Sequence, residues 1–348
     1  MNRISILITL FVLILSSDVF ASRANTAVMG TGEAGFILNG GSFFYDDAYN
    51  IFYNPAYVND FKNWAIIEKS NFPRSTAQGG FVTSIANLTF GLYMNRGNEV
   101  VLAPGLAGPA GSYSSTTVLP LRPIELFLGG DMGFKWGLSL GWAANNSVVG
   151  NSSDVLLNLG AEFGSLEPFG AIKLQGSDPA GSHNFYRLGT RYKWGEWVPY
   201  VALAYYNDST ILTAKQLAWG LGLGRTAKIA DGVRMNYALS YFTSSASGSS
   251  NSTRYVFPID FAVEGDAAPW ITLRAGLGYR ALDRTDSTSA PDGTTGRFGA
   301  TVHVNKIDFE WAVGKNLLST AEGASDLDTQ SIDIANGFFS TANLTYHW

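Results

Sequence analysis

The chain has 348 residues, of which 46% are hydrophobic, 14% aromatic and 15% charged, with 39 glycines, no cysteine and a formal net charge of −5. Charged residues fall well below the roughly 25% usual in soluble domains. The lack of cysteine excludes disulfide scaffolds and thiol chemistry, and scattered charges on an acidic chain exclude a nucleic-acid footprint.

Mean hydropathy is +0.06, too low for a bundle of membrane helices, so any part in lipid must be half polar. Residues 1–21 read as an export signal. Asn2-Arg3 gives a positive start, Ile4 to Leu15 is an apolar run broken only by Ser5 and Thr9, and Val19-Phe20-Ala21 suits cleavage after Ala21. Such a run covers ~18 Å of helix against a hydrocarbon core of ~30 Å, too short for an anchor.

From residue 63 onward the hydrophobic period is two. Ile271, Leu273, Ala275, Leu277 and Tyr279 share one face, while Thr272, Arg274, Gly276, Gly278 and Arg280 share the other. Leu217, Trp219, Leu221 and Leu223 likewise oppose Ala218, Gly220, Gly222 and Gly224. Helical spacing would mix these sets; a strand separates them. The alternating stretches exceed the five to six residues or so of a soluble sandwich strand and match a tilted membrane strand. Trp136, Trp142, Trp194, Trp197, Trp270 and Trp311 lie near their ends, as an aromatic girdle requires. The expected fold is all-β: a transmembrane antiparallel β-barrel of 14–16 strands over residues 63–348, closed because lipid offers no partner to an open edge. Tight turns are expected at 86–87, 131–133, 164–167, 195–196, 227–231, 265–268 and 305–306. Longer loops are expected at 97–121, 145–152, 177–183, 244–253, 282–294 and 316–332, with both termini periplasmic. Ala342, Leu344, Tyr346 and Trp348 end the chain on one face, like the terminal signal read by the outer-membrane barrel assembly machinery.

Residues 22–62 lack this alternation. They hold Gly30, Gly32, Gly35, Gly40 and Gly41, then Asp46-Asp47-Ala48-Tyr49-Asn50 and Asn54-Pro55-Ala56. Pro55 would interrupt a central ladder, so this stretch is expected to fold into the lumen as an N-terminal hatch. The spacing of Asp46, Asp47, Asn50, Asn54 and Pro55, after Met29 to Gly32 and before Phe61, resembles the FadL family of outer-membrane long-chain fatty-acid transporters. The same pattern marks other barrels of that wider superfamily, including PorV-like proteins that shuttle secretion substrates. The resemblance implies a hatch-plugged barrel that takes a hydrophobic ligand from outer loops and releases it sideways through a gap beside a kinked strand.

In this sequence the apolar cluster Val100, Val101, Leu102 and Leu106 in the 97–121 loop is the candidate capture site. Pro258, mid-strand in Tyr255 to Ile259, is the candidate kink because it removes a ladder donor. Inward charges include Arg187, Arg191, Arg234, Arg274, Arg280 and Arg297, with Asp308 and Glu310. They read either as a porin-type constriction or as pairs that neutralise one another and hold the hatch. The inward glycines at 189, 220, 222, 224, 276, 278 and 299 leave room for something bulky against the wall. His183, His303 and His347 show no nucleophile arrangement or metal spacing, so neither enzyme activity nor a metal or other cofactor is expected. The expected activity is passive uptake of hydrophobic small molecules by a barrel whose partners are outer-membrane lipids, the ligand, and, through Trp348, the assembly machinery. A charge-selective or general porin and a scaffold for secretion or envelope proteins are the alternatives.

Overall fold

The structure, a computed structural model, describes residues 22–30, 41–70, 77–96, 121–147, 150–178, 181–208, 215–247, 252–285, 288–289, 294–316 and 338–348. The expected signal, 1–21, and the capture cluster at 100–106 lie outside the described residues.

Sixteen antiparallel strands form a closed wall. The first three are short: β1 (Trp64–Ser70), β2 (Gln78–Ile85) and β3 (Leu88–Met94). The next are longer: β4 (Leu121–Asp131), β5 (Lys135–Ser147), β6 (Gly150–Glu162), β7 (Leu166–Asp178), β8 (Gly181–Tyr192) and β9 (Trp197–Asp208). The longest follow: β10 (Lys215–Ala230), β11 (Val233–Ser247), β12 (Ser252–Ala268) and β13 (Ile271–Thr285). The two-residue β14 (Thr288–Ser289) extends only β13. The wall ends with β15 (Thr294–Val304), β16 (Ile307–Asn316) and β17 (Phe338–His347). β17 pairs with β1, Trp64 opposite His347 and Ser70 opposite Thr341, and this seam closes the barrel.

Alternation sets the two faces. On β10, Leu217, Trp219, Leu221 and Leu223 are exposed on the outside, while Ala218 and Gly220 are buried within. The same exposed band recurs as Leu126, Leu140, Leu159, Leu188, Leu203, Leu239, Leu277 and Leu344. An apolar exterior over a polar interior, with every ladder closed, is the pattern lipid imposes on strands. No helix among the described residues is long and apolar enough to cross a membrane.

The wall departs from the sequence expectation at its rims. Polar stretches expected as loops are largely paired strand: Asn145 opposite Ser152, Ser177 opposite Ser182, Ser245 opposite Thr253, and Arg284 opposite Ser289. Backbone donors and acceptors need partners whatever the side chain, so the ladders continue beyond the apolar band. For the same reason the turns expected at 227–231 and 265–268 sit later, at Asp231–Gly232 and Pro269–Trp270. Glu167, expected in a turn, is a β7 residue opposite Arg191.

Residues 41–58 lie inside the wall and are buried except for Tyr45 and Asp46. Two single-turn helices, Ala48–Phe52 and Pro55–Asn59, carry this segment. Ahead of it, α1 (Arg23–Met29) packs on β12, β13 and β15–β17. Its cap was not anticipated from the sequence: Ser22 Oγ accepts from Ala24 N (3.1 Å) and Asn25 N (3.3 Å). Gly30 ends it at φ +87°, where a Cβ would lie 2.9 Å from the Asp260 carboxylate.

Candidate functional site

The two adjacent aspartates face different partners. Asp47 caps the first single-turn helix through Tyr49 N (2.7 Å) and holds α1 through Asn25 Nδ2 (3.3 Å) and Thr26 Oγ1 (3.2 Å). Burial pushes its carboxyl up to about 7, against those hydrogen bonds. Asp46 instead turns to the wall. Its partial desolvation would raise the carboxyl, but the Arg191 and Lys193 charges outweigh that and hold it at about 2. Asn50 closes the preceding loop, accepting from Ser42 N (2.7 Å) and donating to Tyr45 O (2.9 Å). Asn54 caps the second single-turn helix by accepting from Ala56 N (3.1 Å), with Pro55 at its start, where a missing N–H costs nothing.

Glycines on the inner wall receive this segment. A Cβ at Gly160 would overlap the Asn54 carboxamide, one at Gly137 the Pro55 carbonyl, and one at Gly224 the Phe44 ring. On the far side, Gly276 and Gly299 receive Val28 of α1. Phe43 stacks on Tyr200 at 4.1 Å between centroids and on Phe169 at 5.7 Å. Each such pair adds roughly 0.5–1.5 kcal/mol to the burial itself.

The densest polar knot joins Asp46 to β7 and β8. Arg191 ion-pairs with Asp46 and, through Nε, with Glu167 (2.6 Å). It also donates to Tyr53 Oη (3.0 Å) and to the carbonyls of Ser42 (3.3 Å) and Tyr45 (3.2 Å). Lys193 bridges the same two carboxylates at 2.7 Å each, and the Tyr57 hydroxyl lies 3.0 Å from Asp46 and 2.8 Å from Glu167. Arg191 and Glu167 are fully buried. A second knot gathers on Glu68, which accepts from Tyr49 (3.1 Å), Gln78 (2.6 Å) and Tyr93 (2.6 Å). Beside it, Arg96 lies 3.4 Å above the Phe52 ring. Sequence reasoning missed Glu167 and Glu68. The signal was present for Glu68, an acid in phase with inward Trp64 and Ile66.

The remaining inward charges form a stripe rather than one cluster. Arg297 pairs with Asp260 (2.6 Å), Arg280 with Asp283 (3.5 Å), and Arg254 with Asp283 (2.5 Å). Arg274 pairs with Glu264 (2.5 Å) and lies 3.8 Å from Glu310, and Arg234 also reaches Glu264. Arg187 donates to Asn158 (2.9 Å). Asp308 is shared by His303 (2.7 Å) and His347 (3.0 Å). Thr272 Oγ1 lies 3.1 Å from His303 Nε2, which gives a nucleophile-like line. Its single proton goes to Asp266 (2.7 Å), however, and Thr272 is buried, so the oxygen is no free nucleophile.

The wall has two lapses in its ladder, one mid-strand at Pro258 and one just below the hairpin that joins β7 to β8. At Pro258, pairing with β11 skips from Leu239–Ile259 to Phe242–Val256 in unchanged register, and β13 bulges at Ala281. The larger lapse is between β7 and β8. Pairing stops at Ile172–Tyr186 and resumes at Ser177–Ser182, with an irregularity against β6 at Leu174. Leu174 and Gln175 are both exposed in succession, while Phe185 and Tyr206 are buried behind them. A cavity of about 10 Å³, bounded by Tyr49, Phe52, Trp64, Ile66 and Tyr93, remains where the segment packs on β1 and β3. That is room for about one water molecule.

Comparison with solved structures fits this geometry. A bacterial polysaccharide outer-membrane secretin superposes with a TM-score of 0.51 at 7% identity, covering 82% of this chain and 98% of that one. The chain has the fold of an outer-membrane β-barrel. An anion-selective porin from Comamonas acidovorans (TM-score 0.41, 8% identity, 82% and 98% covered) and a Pseudomonas aeruginosa FadL homologue (0.43, 13%, 92% and 99%) also match. At these identities the likeness is one of fold. No family model and no curated protein sequence matches the chain.

Proposed function

We propose that this barrel is a passive transporter for hydrophobic small molecules such as long-chain fatty acids, with residues 22–62 as its hatch. The observation that carries the reading is the anchoring of the apolar 41–58 segment to the inner wall by Asp46, Arg191, Glu167 and Lys193. Water-filled pores need no such apolar body in the lumen, whereas a ligand that avoids water gains from one. The lapse between β7 and β8, backed by Phe185 and Tyr206, supplies a sideways exit better than Pro258, because it leaves a longer run of backbone unpaired.

A charge-selective porin is the second reading. It is favoured by the stripe from Arg254 and Asp283 to Asp308, which would line an aqueous path if α1 moved away. Conductance in a planar lipid bilayer separates the two. The transporter reading expects silence from the mature protein and current steps after deletion of residues 22–62. Large, stable steps from the intact protein would overturn it in favour of a porin.

A further inference from the structure

The outward face of β10 holds a charge where the alternation calls for an apolar residue. Arg225 continues the lipid-facing row of Trp219, Leu221 and Leu223, and its cross-strand neighbours on that face are Trp197 of β9 and Tyr237 of β11. Its guanidinium lies 5.4 Å from the Trp197 ring centroid and 5.9 Å from that of Tyr237. The level is fixed by the turn below, where Trp194 bridges Trp197 across Gly195–Glu196. This turn belongs to the short-turn end, shared with both termini and therefore periplasmic.

The donors can be counted. Nε and Nη2 donate to Glu196 Oε2 at 2.8 and 2.5 Å, and Nη1 donates to the Tyr237 hydroxyl at 2.7 Å. A guanidinium carries five N–H groups in a rigid fork, so two remain, one on each terminal nitrogen. The Arg225 side chain is 35% exposed, on a wall whose surroundings are lipid. At headgroup depth, the anion able to accept both N–H groups is the phosphodiester of a phospholipid, a planar fork suits two phosphate oxygens, and the flanking rings suit the interface.

We propose that Arg225, held between Trp197 and Tyr237 by Glu196, is a binding site for the phosphodiester of a phospholipid in the periplasmic leaflet. Glu196 orients the guanidinium and also offsets part of its charge. The two residues therefore have opposite effects: removing Arg225 abolishes the site, whereas neutralising Glu196 strengthens it.

The test is native mass spectrometry of the mature barrel in a mild non-ionic detergent, titrated with phosphatidylglycerol. Heat-modified gel mobility verifies that each variant is folded. The first lipid is expected to bind Arg225→Gln roughly fivefold more weakly than the parent protein, Arg225→Lys to lie between them, and Glu196→Gln to bind more tightly. Diacylglycerol, which lacks the phosphate, is expected to bind all four proteins alike. Equal phosphatidylglycerol binding by the parent and Arg225→Gln would overturn the site, as would weaker binding by Glu196→Gln. Displacement of the lipid by millimolar inorganic phosphate would reassign the site to a free anion and overturn the lipid proposal.

Discussion

Asn54 occupies the space that Gly160 leaves by having no side chain, and the same carboxamide caps the turn that follows it. A side chain at 160 and the native Asn54 exclude each other. Gly160→Val should leave the wall ladder intact, since β6 pairs through backbone, yet displace the segment at a cost of about 1–3 kcal/mol. Single-channel recording is expected to show current steps in Gly160→Val and none in the parent. A silent variant with unchanged thermal stability would mean that the fit at Gly160 is not what holds the segment.

Arg191 is the centre of a buried charge group, so its loss leaves Glu167 with only Lys193 and the Tyr57 hydroxyl to offset its burial. Arg191→Gln is expected to lower stability by about 3–5 kcal/mol, the usual result of removing one member of a buried pair. Adding Glu167→Gln should recover a substantial part. Urea unfolding of the parent, both single variants and the double variant measures the coupling; additive losses would mean that the pair is not energetically linked.

The two aspartates give opposite pH signatures. Asp47 has a raised carboxyl, so its contribution is full below the unfolded value near 4 and is lost as pH rises through about 7. Asp46 has a lowered carboxyl, so its contribution is present above about pH 4 and fades as pH falls towards about 2. Asp47→Asn can keep the bond from Tyr49 N and donate to Thr26 Oγ1. Thermal melts from pH 5 to 8 should therefore be flatter for Asp47→Asn than for the parent, and matching slopes would exclude Asp47 as the titrating group.

The lapse between β7 and β8 should be visible in amide exchange. Residues 173–176 and 183–185 lack ladder partners across that boundary, so their amides should exchange faster than those of 257–261 around Pro258, and far faster than those of 217–223 in β10. Equal protection at 173–176 and 217–223 would remove the proposed exit.

The wall was readable because lipid outside and polar groups inside force period-two alternation on every strand; the sixteen strands fall within the expected 14–16. The rims were not readable, because polar residues such as Asn145 and Ser152 pair through backbone and carry no side-chain signal. In the lumen, the glycines and the Asp-Asp to Asn-Pro spacing pointed to a packed segment. The partners of that segment did not emerge, since Arg191 meets Asp46 across 145 residues of chain. A seven-residue helix such as α1 is too short for a 3.6-residue period to stand out.

The seam between β1 and β17 joins Trp64 to His347, nearly the whole length of the barrel chain. The cylinder therefore cannot shut until its last strand has been made. Residues 41–58 precede every strand in the chain, so the segment that Gly137, Gly160 and Gly224 receive is made before the wall around it. The order of synthesis thus makes the contents available before the container is complete.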